Sequence, residues 1–249
     1  MTQEAQDKLI VALDVDSTAR ALGLFEALRE TVSTFKVGMQ LFTATGPDLV
    51  RRIIAGGGRV FLDLKYHDIP NTVSLAAVEA TRLGVSMFNV HASGGAEMMR
   101  QTVAAVAETS AKEGAAKPKI LAVTLLTSLN QQSLDQIGIN GEPNAAVARL
   151  ARAAADCGLD GVVASAQEIE IIRQTISNPN FLIVTPGIRS GNNLSDDQRR
   201  ILSAAEAIRA GADYLVVGRP ILNAANPVEQ ARKFVEEIAG ARQTSAQLS

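Results

Sequence analysis

Residues 59–91 read RVFLDLKYHDIPNTVSLAAVEATRLGVSMFNVH, and this stretch decides the fold. It opens on a short apolar run over 59–64, passes a polar connection, and becomes an Ala-, Leu- and Glu-rich stretch over 71–83. Gly84 follows, and a second apolar run occupies 86–91. Short, nearly continuous apolar runs are what parallel strands covered on both faces require. The middle stretch is rich in helix formers, and a glycine after it is a helix stop. The unit is strand, helix, strand.

Working outward, the same alternation fills the chain. Further strands are expected near 8–14, 34–38, 119–125, 160–164, 181–185 and 213–217. Further helices are expected near 18–30, 46–55, 95–113, 143–157, 167–176, 198–210 and 228–240. Gly56–Gly58, Gly158 and Gly211 stand where helices should end, and Asn71 and Ser165 can cap the helices after them. Eight such units predict a single-domain α/β fold, a (β/α)8 TIM barrel over residues 1–240. A doubly wound open sheet is the structural alternative. Residues 241–249, ARQTSAQLS, read as a disordered polar tail.

Bulk properties narrow the function. The chain has 249 residues, 47% of them hydrophobic, a length common for one barrel. A net charge of −2, from 24 basic and 26 acidic residues, argues against nucleic-acid binding. The single cysteine, Cys157, allows no intrachain disulfide and fits a reducing cytoplasm. The polar N-terminus does not read as a signal peptide. No apolar run approaches the roughly 18 residues of a membrane span.

Barrel active sites lie at the C-terminal ends of the strands. The polar residues expected there are Asp14, Asp16, Lys36, Asp63, Lys65, Asp68, Asn89, His91, Thr124, Thr127, Ser128, Ser165, Thr185, Arg189 and Arg219. Lys36 sits inside an apolar strand, between Phe35 and Val37. It either reaches solvent at the strand end or is paired. Asp63 and Lys65 are two apart on an extended segment, so they share a face, and Asp68 comes as the chain turns away. A structural ion-pair network also produces such patterns, but the barrel's catalytic end favours chemistry. Gly218–Arg219 follows the last strand and Arg189 the one before. Loops in these positions often bind phosphate, and arginine adds a charge-assisted contact. His67 and His91 are far apart in sequence, and no Cys/His cluster suggests zinc.

These residues resemble the orotidine 5′-phosphate decarboxylase family, in its bacterial branch. The match rests on ALDV at 12–15, FKVG at 35–38, FLDLKYHDIPNT at 61–72, VTLLTSL at 123–129, VTPGIR at 184–189, DDQRR at 196–200 and GADYLVVGRPI at 211–221. The resemblance implies decarboxylation of orotidine 5′-phosphate to UMP with no cofactor and no metal. It implies a charged tetrad of Lys36, Asp63, Lys65 and Asp68. Lys65 would stabilise a carbanion at C6 of the pyrimidine and then protonate it. Asp14 and Lys36 would bind ribose hydroxyls, and Thr127 the pyrimidine edge. Arg189, Gln198, Gly218 and Arg219 would hold the phosphate, with the loop 188–198 folding over it. The resemblance also implies a cytoplasmic homodimer in which Asp68, with Ile69 and Thr72 near it, reaches the partner's site. One departure is Ser203–Ala204, where the family pattern often has Thr-Pro.

Two enzymatic relatives and one binding protein compete with this reading. Magnesium-dependent sugar-phosphate decarboxylases and synthases of the same barrel group share Asp-x-Lys-x-x-Asp but carry an acidic residue where this chain has Lys36. A lysine there would repel a divalent ion. A non-catalytic nucleotide-binding barrel would have no need of an intact tetrad. No repeat or charge run supports a scaffold protein.

Overall fold

The structure, a computed structural model, describes residues 2–189 and 202–246. Eight strands form a closed parallel barrel in sequence order. They are β1 (Leu9–Ala12), β2 (Thr34–Gly38), β3 (Arg59–Tyr66), β4 (Met87–His91), β5 (Lys119–Val123), β6 (Gly161–Val163), β7 (Leu182–Pro186) and β8 (Tyr214–Val217). Closure is made by β1 pairing with β8 through Leu9–Leu215, Ile10–Val216 and Val11–Val217. The open-sheet alternative is thereby set aside.

Helices among the described residues are α1 (Gln3–Lys8), α2 (Thr18–Leu28), α3 (Met39–Thr45), α4 (Pro47–Ala55), α5 (Pro70–Arg82) and α6 (Gly95–Glu113). After β5 come α7 (Gln131–Gln136), α8 (Pro143–Asp156), α9 (Ile169–Thr175), α10 (Ala204–Ala210), α11 (Arg219–Leu222) and α12 (Pro227–Ala246). The helices α1, α3, α7 and α11 are additions to the eight expected. The last helix continues past residue 240 to Ala246. Asn71 is not a cap: Ile69 occupies that position and Pro70 begins α5, because proline's fixed φ and missing N–H suit a first helical turn. Ser165 does open the turn after β6, its backbone N–H donating to Glu168 at 2.8 Å.

Strand alternation sorts the core into two layers. Ile10, Ala12, Phe61, Met87, Leu121, Val184 and Val216 fill the barrel interior. Val11, Phe35, Val37, Leu62, Phe88 and Val90 point outward into the larger layer beneath the helices. Close helix–strand packing explains Gly58: a Cβ there would lie 2.6 Å from the Phe25 ring. Gly211 ends α10 at φ 110°, a conformation that a side chain disfavours.

The lower, N-terminal end of the barrel is tied by charges. Asp213 accepts Arg173 at 2.6 Å and the Ile183 N–H at 2.7 Å. Asp160 accepts Lys119 at 3.0 Å and the Ile120 N–H at 2.9 Å. Conservation of strand register is their evident use, and the chemistry lies at the other end.

Candidate active site

The interior alternation carries three polar residues to the upper end of the barrel. Lys36 lies between outward-facing Phe35 and Val37, so it points inward. Asp63 follows Phe61 by two, and Asn89 follows Met87 by two. All three are buried: Lys36 is 8% exposed, Asp63 9% and Asn89 0%. They sit directly above the apolar plug, so their polar atoms must pair with one another.

They do. Lys36 Nζ lies 2.9 Å from Asp14 Oδ1 and 3.2 Å from Asp63 Oδ2. Lys65 Nζ lies 2.6 Å from the other Asp63 oxygen, Oδ1. Asn89 Nδ2 donates to that same Oδ1 at 2.7 Å. Burial alone would raise the Asp63 pKa. The Lys36 charge, the Lys65 hydrogen bond and charge, and the Asn89 hydrogen bond outweigh it and hold the carboxyl below its ordinary value. Asp63 is therefore ionised at neutral pH. Gly38 leaves the necessary room, since a Cβ there would stand 3.0 Å from Lys36 Nζ.

Asp63 and Lys65 meet as expected, but not by simple extension. Lys65 has φ 51°, the only positive φ at a non-glycine residue among those described. Left-handed backbone costs an L-residue roughly 1–2 kcal/mol. The pairing of β3 with β4 shows where the irregularity falls. Leu62 faces Phe88, and the next partners are Tyr66 and Val90, so β3 spends more residues than β4 over this interval. The Lys65 N–H, turned out of the ladder, donates to Asn89 Oδ1 at 2.8 Å.

Desolvating ions costs several kcal/mol each, and apolar replacements are often as stable or more so. A buried charge cluster is thus weak evidence for stability. Its position at the catalytic mouth, beside an open cleft, favours chemistry.

That cleft encloses about 890 Å³. Its walls include Asp14, Lys36, Asp63, Thr127, Ser165, Arg189, Gly218 and Arg219, with Leu125, Ile188, Leu202 and Val216 as apolar surface. Seven predicted site residues thereby share one cavity. Lys65 adjoins it through Asp63. Asp68 stands apart: it is exposed, accepts the Ile69 N–H at 2.6 Å, and forms no ion pair with Lys36 or Lys65 among the described residues. Ile69 and Thr72 are exposed near it at the start of α5. Gln198 and most of the 188–198 loop lie outside the described residues.

Other polar residues at strand ends have local roles. Thr124 donates to the Val163 carbonyl at 3.3 Å. The His91 ring packs against His67 with centroids 5.3 Å apart. Burial first, then the His67 and Lys65 charges, push the His91 pKa below its ordinary value, against the opposing pull of Asp63. The sequence marks Asn89 only as a polar strand residue, yet it touches both members of the central pair. A fully polar side chain two positions after an interior Met was the available signal.

Among the described residues, no group of three or more His, Cys, Asp and Glu side chains converges to hold a metal. No helix among them is long and apolar enough to cross a membrane.

Comparison with known proteins shows a family and a fold that this chain shares. A sequence model of the Orotidine 5′-phosphate decarboxylase / HUMPS family matches residues 7–234. The orotidine 5′-phosphate decarboxylase of Geotalea daltonii is 53% identical over 237 residues, covering 94% of this chain and 97% of that one. Its counterpart from Syntrophotalea carbinolica is 52% identical over 241 residues, covering 97% and 98%. Among solved structures, the orotidine 5′-phosphate decarboxylase of Lactobacillus acidophilus superposes with a TM-score of 0.82 at 33% identity, covering 93% of this chain and 99% of that one.

Proposed function

We propose a mechanism on the premise that the chain belongs to the orotidine 5′-phosphate decarboxylase / HUMPS family. The protein is an enzyme that decarboxylates orotidine 5′-phosphate to UMP in pyrimidine biosynthesis. The observation that carries our reading is the Lys65 ammonium, 2.6 Å from a buried Asp63 carboxylate at the barrel mouth.

The chemical difficulty is the electron pair left on C6. When the C6–carboxylate bond breaks, CO2 departs and the pair stays on a carbon with no adjacent carbonyl suited to delocalise it. A fixed positive charge beside C6 stabilises that state, and does so most in a dry site. Lys65 supplies the charge. It then transfers a proton from Nζ to C6, giving UMP, and the amine regains a proton from solvent. Asp63 pairs with the Lys65 ammonium before substrate arrives. It also stands near the departing carboxylate.

Binding is divided around this centre. Lys36 and Asp14 take ribose hydroxyls, and Thr127 the pyrimidine edge. Arg189, Gln198, Gly218 and Arg219 hold the phosphate, and that remote contact contributes to the rate. The cleft's shared wall supports this division. The magnesium-dependent relatives fit less well, because the Lys36 ammonium lies between the Asp14 and Asp63 carboxylates, where a cation's ligands would be.

Asp68 completes the tetrad from a second subunit. Its separation from both lysines supports this, as does the apolar surface around it, with Ile69 66% and Leu75 59% exposed. A homodimer would cover that surface and bring Asp68 to the partner's Lys65. The single cysteine suits the cytoplasm, where we place the enzyme.

Lys65→Ala tests the mechanism. Losing one electrostatic stabiliser and one proton donor together should cost at least about a thousandfold in kcat, with UMP binding still measurable by calorimetry. Near-normal turnover by this variant would overturn the role given to Lys65.

A further inference from the structure

We infer that Asn89 is a positioning residue for the reaction: its amide clamps Lys65 and Asp63 into the arrangement in which the ammonium and carboxylate meet at the barrel mouth. The inference deepens the mechanism proposed above and rests on it.

Three observations converge on this side chain. First, Asn89 contacts both partners with different atoms. Its Oδ1 accepts the Lys65 backbone N–H at 2.8 Å, and its Nδ2 donates to Asp63 Oδ1 at 2.7 Å. Asp63 Oδ1 is also the oxygen that Lys65 Nζ approaches to 2.6 Å. The three groups therefore close a ring: Lys65 backbone, Asn89 amide, Asp63 carboxylate, Lys65 ammonium.

Second, the backbone held by this ring is the strained one. Lys65 at φ 51° has left the strand ladder, and its N–H needs a partner elsewhere. Asn89 provides one from the neighbouring strand. Left-handed backbone at a non-glycine residue persists where the surroundings over-determine it, and this hydrogen bond is the contact that does so. Without it, Lys65 has reason to relax toward the extended conformation, which would swing the ammonium off Asp63.

Third, Asn89 is fully buried in the barrel. Below it on β4 lies Met87 and beside it on β5 lies Leu121, both apolar. Fully buried polar side chains are retained in fixed orientations, because any other orientation leaves donors unpaired. A donor and an acceptor on one rigid plane are what this ring needs. Aspartate has no donor when ionised, and leucine has neither group.

Two variants separate positioning from packing. Asn89→Ala removes both hydrogen bonds and leaves a void. Asn89→Leu removes both and refills most of the volume. Each is assayed for kcat per UMP-binding site, together with the Kd for UMP, which carries no C6 carboxylate. We expect both variants to lose at least tenfold in kcat while their UMP Kd stays within threefold of wild type. Either of two results overturns the inference: kcat within twofold of wild type in the leucine variant, or UMP affinity falling in step with kcat in either one. Should the alanine variant fail to fold, the leucine variant decides alone. Failure of the mechanism itself is distinguishable, since an active Lys65→Ala enzyme signals that, whatever Asn89 does.

Discussion

Lys65 carries two demands that ordinary strand residues do not. It must hold an unfavourable backbone conformation and keep a charged head next to a buried carboxylate. Both are met by neighbouring groups, Asp63 on its own strand and Asn89 on the next. Arg219 lines the same cleft and, in the proposed reading, meets a different demand, a phosphate remote from C6. Hydrogen bonds to charged groups are worth about 1.5–3 kcal/mol, so Arg219→Ala should lower kcat/KM roughly 10- to 100-fold. Steady-state kinetics with orotidine 5′-phosphate would show this, and unchanged kcat/KM would remove Arg219 from the phosphate site. The pairing of Asp63 with Lys65 was legible in the sequence from their spacing of two. The positive φ at Lys65 was not, because no glycine or asparagine marks it. Asn89 was visible as a polar residue in an apolar strand, but a single sequence does not tell which neighbouring strand its amide will serve.

Secondary-structure elements were largely legible, because each barrel strand is a short apolar run and several of the helices between them end at a glycine. All eight strands fall where that pattern places them. Four short helices escaped it, since segments of four to seven residues carry too little periodicity to stand out. One of them, α7, did leave a signal in Asn130, whose side chain accepts the Ser133 N–H at 2.9 Å. Ser203 caps α10 in the same manner. The Ser203 hydroxyl accepts the Glu206 N–H at 3.3 Å, and Glu206 returns a bond to the Ser203 N–H at 2.8 Å. The departure from Thr-Pro at 203–204 therefore preserves the capping chemistry, since serine and threonine serve it alike. Ser203→Ala should cost about 1 kcal/mol and lower Tm by roughly 2–4 °C, as read by calorimetry. An unchanged Tm would mean that the reciprocal cap contributes nothing.

For the whole molecule, the barrel divides its charges by end. Those at the lower end bind backbone N–H groups and secure strand register. Those at the upper end surround an open cleft. A single chain assembles Lys36, Asp63 and Lys65 but leaves Asp68 outside, so the proposed site is complete only when two chains meet. Mixing Lys65→Ala and Asp68→Ala subunits tests this. A mixed dimer would hold one site with both defects and one with neither. Random assembly of equal amounts should then restore about a quarter of wild-type activity in a two-fold dimer. A mixture no more active than its two parents would show each site to be self-contained.

The central claim is that this chain decarboxylates orotidine 5′-phosphate with its own charged side chains. The most direct measurement follows the substrate's ultraviolet absorbance during incubation with the purified enzyme in excess chelator. The account predicts full loss of the orotidine 5′-phosphate band, with UMP as product, at the same rate as without chelator. Persistence of the band, or its loss only after a divalent metal is restored, would contradict it.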